Sequence, residues 1–307
     1  MRIQILSDIH LEYNYFTFKL GENVDVVVLA GDICQLIDER TFEKFIKNIF
    51  SVAQLKNNNQ SMKVIFVPGN HEYYNSNWEH VDDYLSRVVK IIGNNNFYVL
   101  NNSTLIIEDW SQINEQYRKI KFIGSTLWSK VLPEEAISVK YSINDYRTIM
   151  TSQKSLVSMT DGIRLLNVED TNDRFDKSLD FIKKELGEID ILDLNEDDKK
   201  LALHADEKPS LLIENDIPCI VVTHHLPSYR CINYKYKHLT CNSAFASNLD
   251  SLITKHSDKI KVWIFGHSHA SCDITVNKSR LVSNPLGYCS LGQPENKNFK
   301  EILVIEV

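Results

Sequence analysis

Five short apolar runs in this chain each stop at a residue able to hold a metal ion, and that repetition narrows the possible folds more than composition does. Residues 3–6 run into Asp8 and His10, residues 26–30 into Gly31-Asp32, and residues 64–67 into Pro68-Gly69-Asn70-His71-Glu72. Residues 220–223 lead to His224, and residues 262–265 to Gly266-His267-Ser268-His269. Runs of four or five residues are too short for helices and read as buried strands. Side chains just beyond the carboxyl ends of such strands are where open α/β sheets gather their ligands. Since these residues extend from position 8 to position 269, one unit has to gather them. The expectation is a single α/β domain over 1–307, carrying a helical and polar insertion at about 133–216.

Between the runs, periodicity sets the other elements. Phe42, Phe45, Ile46, Ile49 and Phe50 share one helical face, so residues 39–54 read as a helix packed on the sheet. A second amphipathic helix spans 78–92 and stops near Gly93. Residues 97–100, 104–108 and 120–124 then read as successive strands, with 109–117 as a polar connection. Within the insertion, 173–186 is amphipathic and 190–209 is dense in Asp, Glu and Lys; it either shapes substrate choice or forms a solvated cap. A helix is expected over 244–255, and short strands over 271–276, 280–283 and 302–307, around a turn at 284–288.

Composition removes several classes. With 307 residues, 43% of them apolar, a sizeable core is available, and the six cysteines show no C-x-x-C spacing, so reduced thiols are expected. A strand beginning at Arg2 leaves no room for a signal peptide, and no apolar run nears the roughly 20 residues of a membrane span; a cytoplasmic protein without membrane contact is expected. A net charge of −7 argues against nucleic acid as a partner. Divalent cations held by Asp8 and Asp32 would still make a cleft locally positive, so a small anionic substrate stays open.

In order and content, Asp8-x-His10, Gly31-Asp32, Gly69-Asn70-His71-Glu72, His224 and Gly266-His267-x-His269 resemble the signature of the calcineurin-like metallophosphoesterases. The resemblance spans residues 3–269 and implies a two-sheet β-sandwich flanked by helices, with a dinuclear metal site at the strand ends. It places Asp8, His10, Asp32 and His269 on one ion, and Asp32, Asn70, His224 and His267 on the other. Asp32 is the bridge, because a carboxylate can span two ions and an imidazole cannot. The mixed nitrogen and oxygen donors suit manganese first, with iron, zinc, nickel or cobalt as alternatives to it, better than calcium or magnesium. The implied reaction is hydrolysis of a small phosphomonoester or phosphodiester by a metal-bridging hydroxide. Asp32 and His71 are its catalytic residues, His71 assisting the leaving oxygen.

Further candidates carry an ordinary reading beside the functional one. Glu72 is a candidate to orient His71 or Asn70, and His225 to support the same loop. Arg147 and Arg230 are candidates to clamp a phosphate, against simple surface salt bridging. Tyr229, Tyr234 and Tyr236 read as loop packing before base stacking, and His80, His204, His238 and His256 as surface residues. Gly31, Gly69 and Gly266 are expected to let the backbone leave its strand and aim the following residue. Gln35 stands where purple acid phosphatases carry a tyrosinate, and Ile33-Cys34-Gln35 replaces the Asp-Arg-Gly of phosphoprotein phosphatases, whose Arg before Gly69 is Pro68 here. The chain resembles the compact branch that contains cyclic-nucleotide phosphodiesterases. A nuclease or nucleic-acid phosphatase, and a non-catalytic scaffold on the same fold, are the competing functions. The sequence leaves substrate and oligomeric state open.

Overall fold

All five apolar runs fold as strands, and their residues are sealed from solvent. The computed structural model describes residues 1–57, 61–111, 116–153, 162–188 and 217–307. In it β1 (Arg2–Leu6), β2 (Val26–Ala30), β3 (Lys63–Val67) and β4 (Phe97–Val99) lie side by side in parallel. The last strand, β15 (Val304–Glu306), closes the other edge antiparallel to β1. The second sheet has β9 (Cys219–Thr223) and β10 (Ile260–Phe265) at its centre, parallel to each other. On one side come β6 (Gln116–Ser125) and β5 (Ser103–Ser111), on the other β12 (Ser279–Ser283) and β11 (Cys272–Val276).

Alternate residues of each strand enter different cores, which is why the runs show no polar alternation. Ile3, Ile5, Val26, Val28 and Ile65 meet Phe122, Ile220, Val222 and Ile264 between the sheets. Their neighbours Leu6, Val27, Leu29, Phe66, Val221, Trp263 and Phe265 belong to the outer core shared with the helices. Helix α1 (Glu39–Asn57) brings Phe42 to 4.8 Å from the Phe66 ring centroid. Helix α2 (Trp78–Ile92) starts where Asn77 accepts the N–H groups of Glu79 and His80, and ends at Gly93 in the left-handed region. Each large apolar side chain so buried contributes roughly 1.5–3 kcal/mol. The two-sheet, helix-flanked architecture that the resemblance implied is the one the chain adopts.

Several boundaries differ from expectation. Of the three successive strands, β4 joins the first sheet by pairing with β3, while β5 and β6 belong to the second. The polar residues 109–111 and 116–117 are strand and not connection: β5 and β6 pair in register from Ser103↔Gly124 to Ser111↔Gln116. Glu108 lies opposite Lys119 on this ladder, an opposite-charge pairing that supports the hairpin even though it hides the apolar pattern. The expected insertion holds α3 (Ala136–Ser142), α4 (Asp145–Thr148), a hairpin of β7 (Met150–Gln153) and β8 (Gly162–Leu165), and α5 (Val168–Glu185). α5 starts ahead of residue 173 because Asn167 and Asp170 form a capping box. The acidic stretch 190–209, with His204, lies outside the described residues.

The helix expected over 244–255 is only α6 (Asp250–Lys255). Ahead of it, the N–H groups of Ser247 and Leu249 bond to the carbonyls of Leu226 and Pro227, tying that stretch to the loop after β9. A small hairpin, β13 (Cys289–Ser290) and β14 (Gln293–Pro294), follows the turn after β12. His256 is buried and hydrogen-bonded to Glu188 at 2.9 Å, where a surface residue was expected. The described cysteines are free thiols, and no described helix is long and apolar enough to cross a membrane.

Candidate metal centre

The carboxyl ends of β1, β2, β3, β9 and β10 open at the same side of the molecule, and the loops leaving them converge. The first sheet supplies Asp8, His10, Asp32, Asn70 and His71; the second supplies His224, His267 and His269. Backbone bonds join the loops: the N–H of Asp8 donates to Gly31 O, that of His10 to Asp32 O, and that of Gly266 to His224 O, all at 2.9–3.0 Å. Asp8, His10, Asp32, His267 and His269 all have φ between 47° and 73°, a region costly for a residue with a side chain. Such strain persists only where the surroundings enforce it, and here it turns five ligand-type side chains inward.

Two glycines make room for this. Gly31 has φ +83°, and a Cβ there would stand 2.3 Å from His224 Nδ1. Gly69 is not in the left-handed region; its reason is proximity, since a Cβ would lie 2.2 Å from Asp32 Oδ1.

His224, His10 and His269 each have one ring nitrogen engaged from behind and the other facing the centre. His224 Nδ1 donates to the Ala30 carbonyl at 2.9 Å, His10 Nδ1 to Glu12 Oε1 at 3.1 Å, and His269 Nδ1 to Glu295 Oε2 at 2.8 Å. In the neutral rings these acceptors set the tautomers and leave Nε2 with a free lone pair. Burial opposes protonation of His224, but Asp32 raises that ring to about 10, so an ion there would displace a proton. His10 Nε2 and His269 Nε2 then point at each other across 3.0 Å. Two acceptor nitrogens so close repel unless a cation or shared proton lies between them. His224 Nε2 is 3.1 Å from Asn70 Oδ1 and 3.3 Å from Asp32 Oδ2. The amide oxygen of Asn70 faces this way because its Nδ2 donates to Asp145 at 2.8 Å.

Two side-chain groups result, Asp8 with His10 and His269, and Asp32 with His224 and His267, each with its donor atoms within 4.8 Å of one another. Asp32 also groups with His10 and His71. The donor set fits a pair of metal ions: nitrogen and oxygen donors mixed, carboxylates at the centre, and every imidazole with a described ring bond held from outside.

Electrostatics agree with the geometry. Burial alone would raise the Asp32 carboxyl, but His224, His71 and His10 hold it well below the usual range. Burial, before any other cause, pushes His267 well below an ordinary imidazole, as suits a neutral ligand.

A sequence model of the calcineurin-like phosphoesterases matches residues 1–271. The chain belongs to that family. An uncharacterized protein, L509, of Acanthamoeba polyphaga mimivirus is 27% identical over 331 aligned positions, covering all of this chain and 97% of that protein. Among solved structures, a phosphopantetheinyl hydrolase from Mycobacterium tuberculosis superposes with a TM-score of 0.58 at 13% identity, over 93% of this chain and 89% of that one. A dimetal phosphatase from Danio rerio gives 0.38 at 13% identity, over 92% and 86%. The first structure shares the fold.

A cleft of about 320 Å³ opens over the calcineurin-like centre, with Asp32, Asn70, His71, His267 and His269 at its base. His71 is buried, stacks on Tyr74 at 3.9 Å, and holds Glu12 Oε1 through Nδ1 at 3.1 Å. Its Nε2 is 3.3 Å from the Tyr288 hydroxyl. Burial opposes protonation of His71, yet Asp32 and Glu12 raise its affinity for a proton.

Glu72 does not orient His71 or Asn70. Its carboxylate accepts the N–H groups of Asp32, Ile33, Cys34 and Gly69, so it shapes two loop backbones instead. His225 is buried between Trp128 and His267, and burial followed by the His224 charge lowers it to about 3, so it stays neutral. Arg147 is exposed on α4 and Arg230 on a short turn, and among the described residues neither lines the cleft. Sequence reasoning missed Glu12, Tyr74, Asp145, Tyr288 and Glu295. Glu12, two positions after His10, carried a faint signal; Glu295 carried none.

Proposed function

We propose that the protein is a dinuclear-metal phosphoesterase that hydrolyses a small phosphomonoester or phosphodiester. The observation that carries this is the placing of Asp32, whose Oδ2 is 3.3 Å from His224 Nε2 and 3.9 Å from His10 Nε2, between two sets of ligand-type side chains. Asp8, His10, Asp32 and His269 would hold one ion, and Asp32, Asn70, His224 and His267 the other, with manganese the first candidate. Such a pair supplies Lewis acidity, lowering the pKa of water and countering charge on phosphoryl oxygens.

The chain's own groups do the rest. Glu12 and Glu295 fix the rings of His10 and His269, and Asp145 fixes the amide of Asn70. His71, held at Nδ1 by Glu12 and open to the cleft, is placed to give a proton to the departing oxygen. No Lys or Arg lines the cleft among the described residues, so phosphate charge has to be met at the metal centre. A small cleft on a chain of net charge −7 favours small substrates over nucleic acid.

The test is turnover of p-nitrophenyl phosphate and bis-p-nitrophenyl phosphate by chelator-stripped protein with manganese, nickel, zinc or magnesium restored. Metal-dependent hydrolysis is expected, lowered about 10²–10⁴-fold in His71→Ala and abolished in Asp32→Asn with the circular dichroism spectrum unchanged. Full activity in Asp32→Asn would sink the two-metal assignment.

A further inference from the structure

The cleft over the metal centre does not end at its apolar wall. Ile232, Leu239 and Asn242 line both that cleft and a second, more open groove of about 480 Å³, so the two cavities share one rim. The groove carries Arg230 and Lys237. The cleft, by contrast, has no lysine or arginine in its described lining.

Neither Arg230 nor Lys237 has a carboxylate within ion-pair distance among the described residues. Elsewhere on this acidic chain Lys130, Arg164, Arg174 and Arg280 each hold one. Glu135, the acidic residue of the groove, is turned to Ser243, whose N–H and hydroxyl both donate to its Oε2, at 2.9 and 2.7 Å. Arg230 sits on the turn Tyr229–Cys231, whose start is capped by Ser228 Oγ accepting the Arg230 N–H at 3.1 Å and whose Cys231 is buried. Lys237 follows the turn Tyr234–Tyr236, capped by Asn233. Both cations therefore stand on capped turns, which lowers the ordering cost of using them.

We propose that this groove is a second subsite, for an anionic group at the end of the substrate remote from the scissile phosphate. The substrate class is a phosphoester whose uncharged, partly apolar middle passes Ile232 and Leu239 and whose far end carries a phosphate or carboxylate. A guanidinium binds either group through paired N–H donors, and a neighbouring ammonium adds to the attraction. The shared rim explains why the described lining of the cleft lacks lysine and arginine: the charged end of the substrate is met one cavity further on. This inference rests on the phosphoesterase reading of the cleft.

The experiment is calorimetric titration of manganese-reconstituted, full-length protein with non-hydrolysable alkane-α,ω-bisphosphonates, propane to octane. Monophosphonates and ω-phosphonocarboxylates of the same lengths serve as comparison. At one chain length the doubly anionic ligand is expected to bind about tenfold more tightly than its monophosphonate, and the better of the two acids identifies the remote group. In Arg230→Ala/Lys237→Ala, whose melting temperature checks the fold, that ratio should fall toward one. Should the double variant not fold, Arg230→Gln read at low and high salt gives the same comparison. A ratio near one at every length in the unaltered protein, or the same ratio in the variant, overturns the subsite. A protein that shows the ratio but hydrolyses nothing keeps the subsite and loses the reaction; one that hydrolyses without the ratio does the reverse.

Discussion

Glu12 ties His10, a candidate ligand, to His71, a candidate proton donor, through a single oxygen 3.1 Å from each ring. Burial opposes its ionisation, but the bonds to His10 and His71 keep it a carboxylate. Glu12→Gln can no longer accept from both rings with the same charge, so turnover of p-nitrophenyl phosphate should fall about 10–100-fold. Turnover within twofold of the unaltered protein would remove Glu12 from the account. Asp145 acts on Asn70 in the same way, helped by the Tyr74 hydroxyl at 2.7 Å. Asp145→Ala frees the amide to rotate, and metal affinity measured by competition with a chromophoric chelator should drop about 10–100-fold. An unchanged affinity would show that the amide is held by other contacts. Residue type assigned a role to neither: a Glu two positions after His10 and an Asp opening α4 gain their meaning from what they touch.

The loops after β1, β2 and β10 share one device, a left-handed residue immediately or shortly beyond the strand that turns a ligand-type side chain back over the sheet edge. Gly31→Ala would both strain φ and push a methyl onto the His224 ring, costing about 2–4 kcal/mol. Urea denaturation measures it, and a loss under 1 kcal/mol would mean the loop relaxes. Helix α5 is anchored differently. Arg174 lies 3.7 Å over the Trp78 ring and pairs with Asp82 at 2.6 Å, fastening α5 to α2. Arg174→Ala should cost about 1–2 kcal/mol, with no recovery in Arg174→Lys, which lacks the planar stacking face. Full stability in the lysine variant would show that charge alone matters. The strands and α2 were legible because burial on both faces, or on one helical stripe, leaves a direct pattern in residue type. The β5–β6 extension was not, since its stabilisation lies in backbone pairing and cross-strand charge.

The candidate centre is built across two sheets, so folding brings buried carboxylates and imidazoles together from chain positions as far apart as Asp8 and His269. A divalent ion that binds only this assembled arrangement stabilises the folded state by mass action. Manganese added to chelator-stripped protein should therefore raise the melting temperature by about 4–8 °C, an increase lost in His224→Ala. No shift at saturating manganese would mean that the folded chain does not prefer that ion.

The order and identity of the ligand-type residues, and the strands that precede them, follow from the sequence because each depends on a few neighbouring residues and on local burial. The outer supports, Glu12, Asp145, Tyr288 and Glu295, the burial of His256, and the exclusion of Arg147 and Arg230 from the cleft were decided by tertiary structure. Each depends on which distant segments share a wall, and that is settled only when two sheets and the helices around them pack at a common edge.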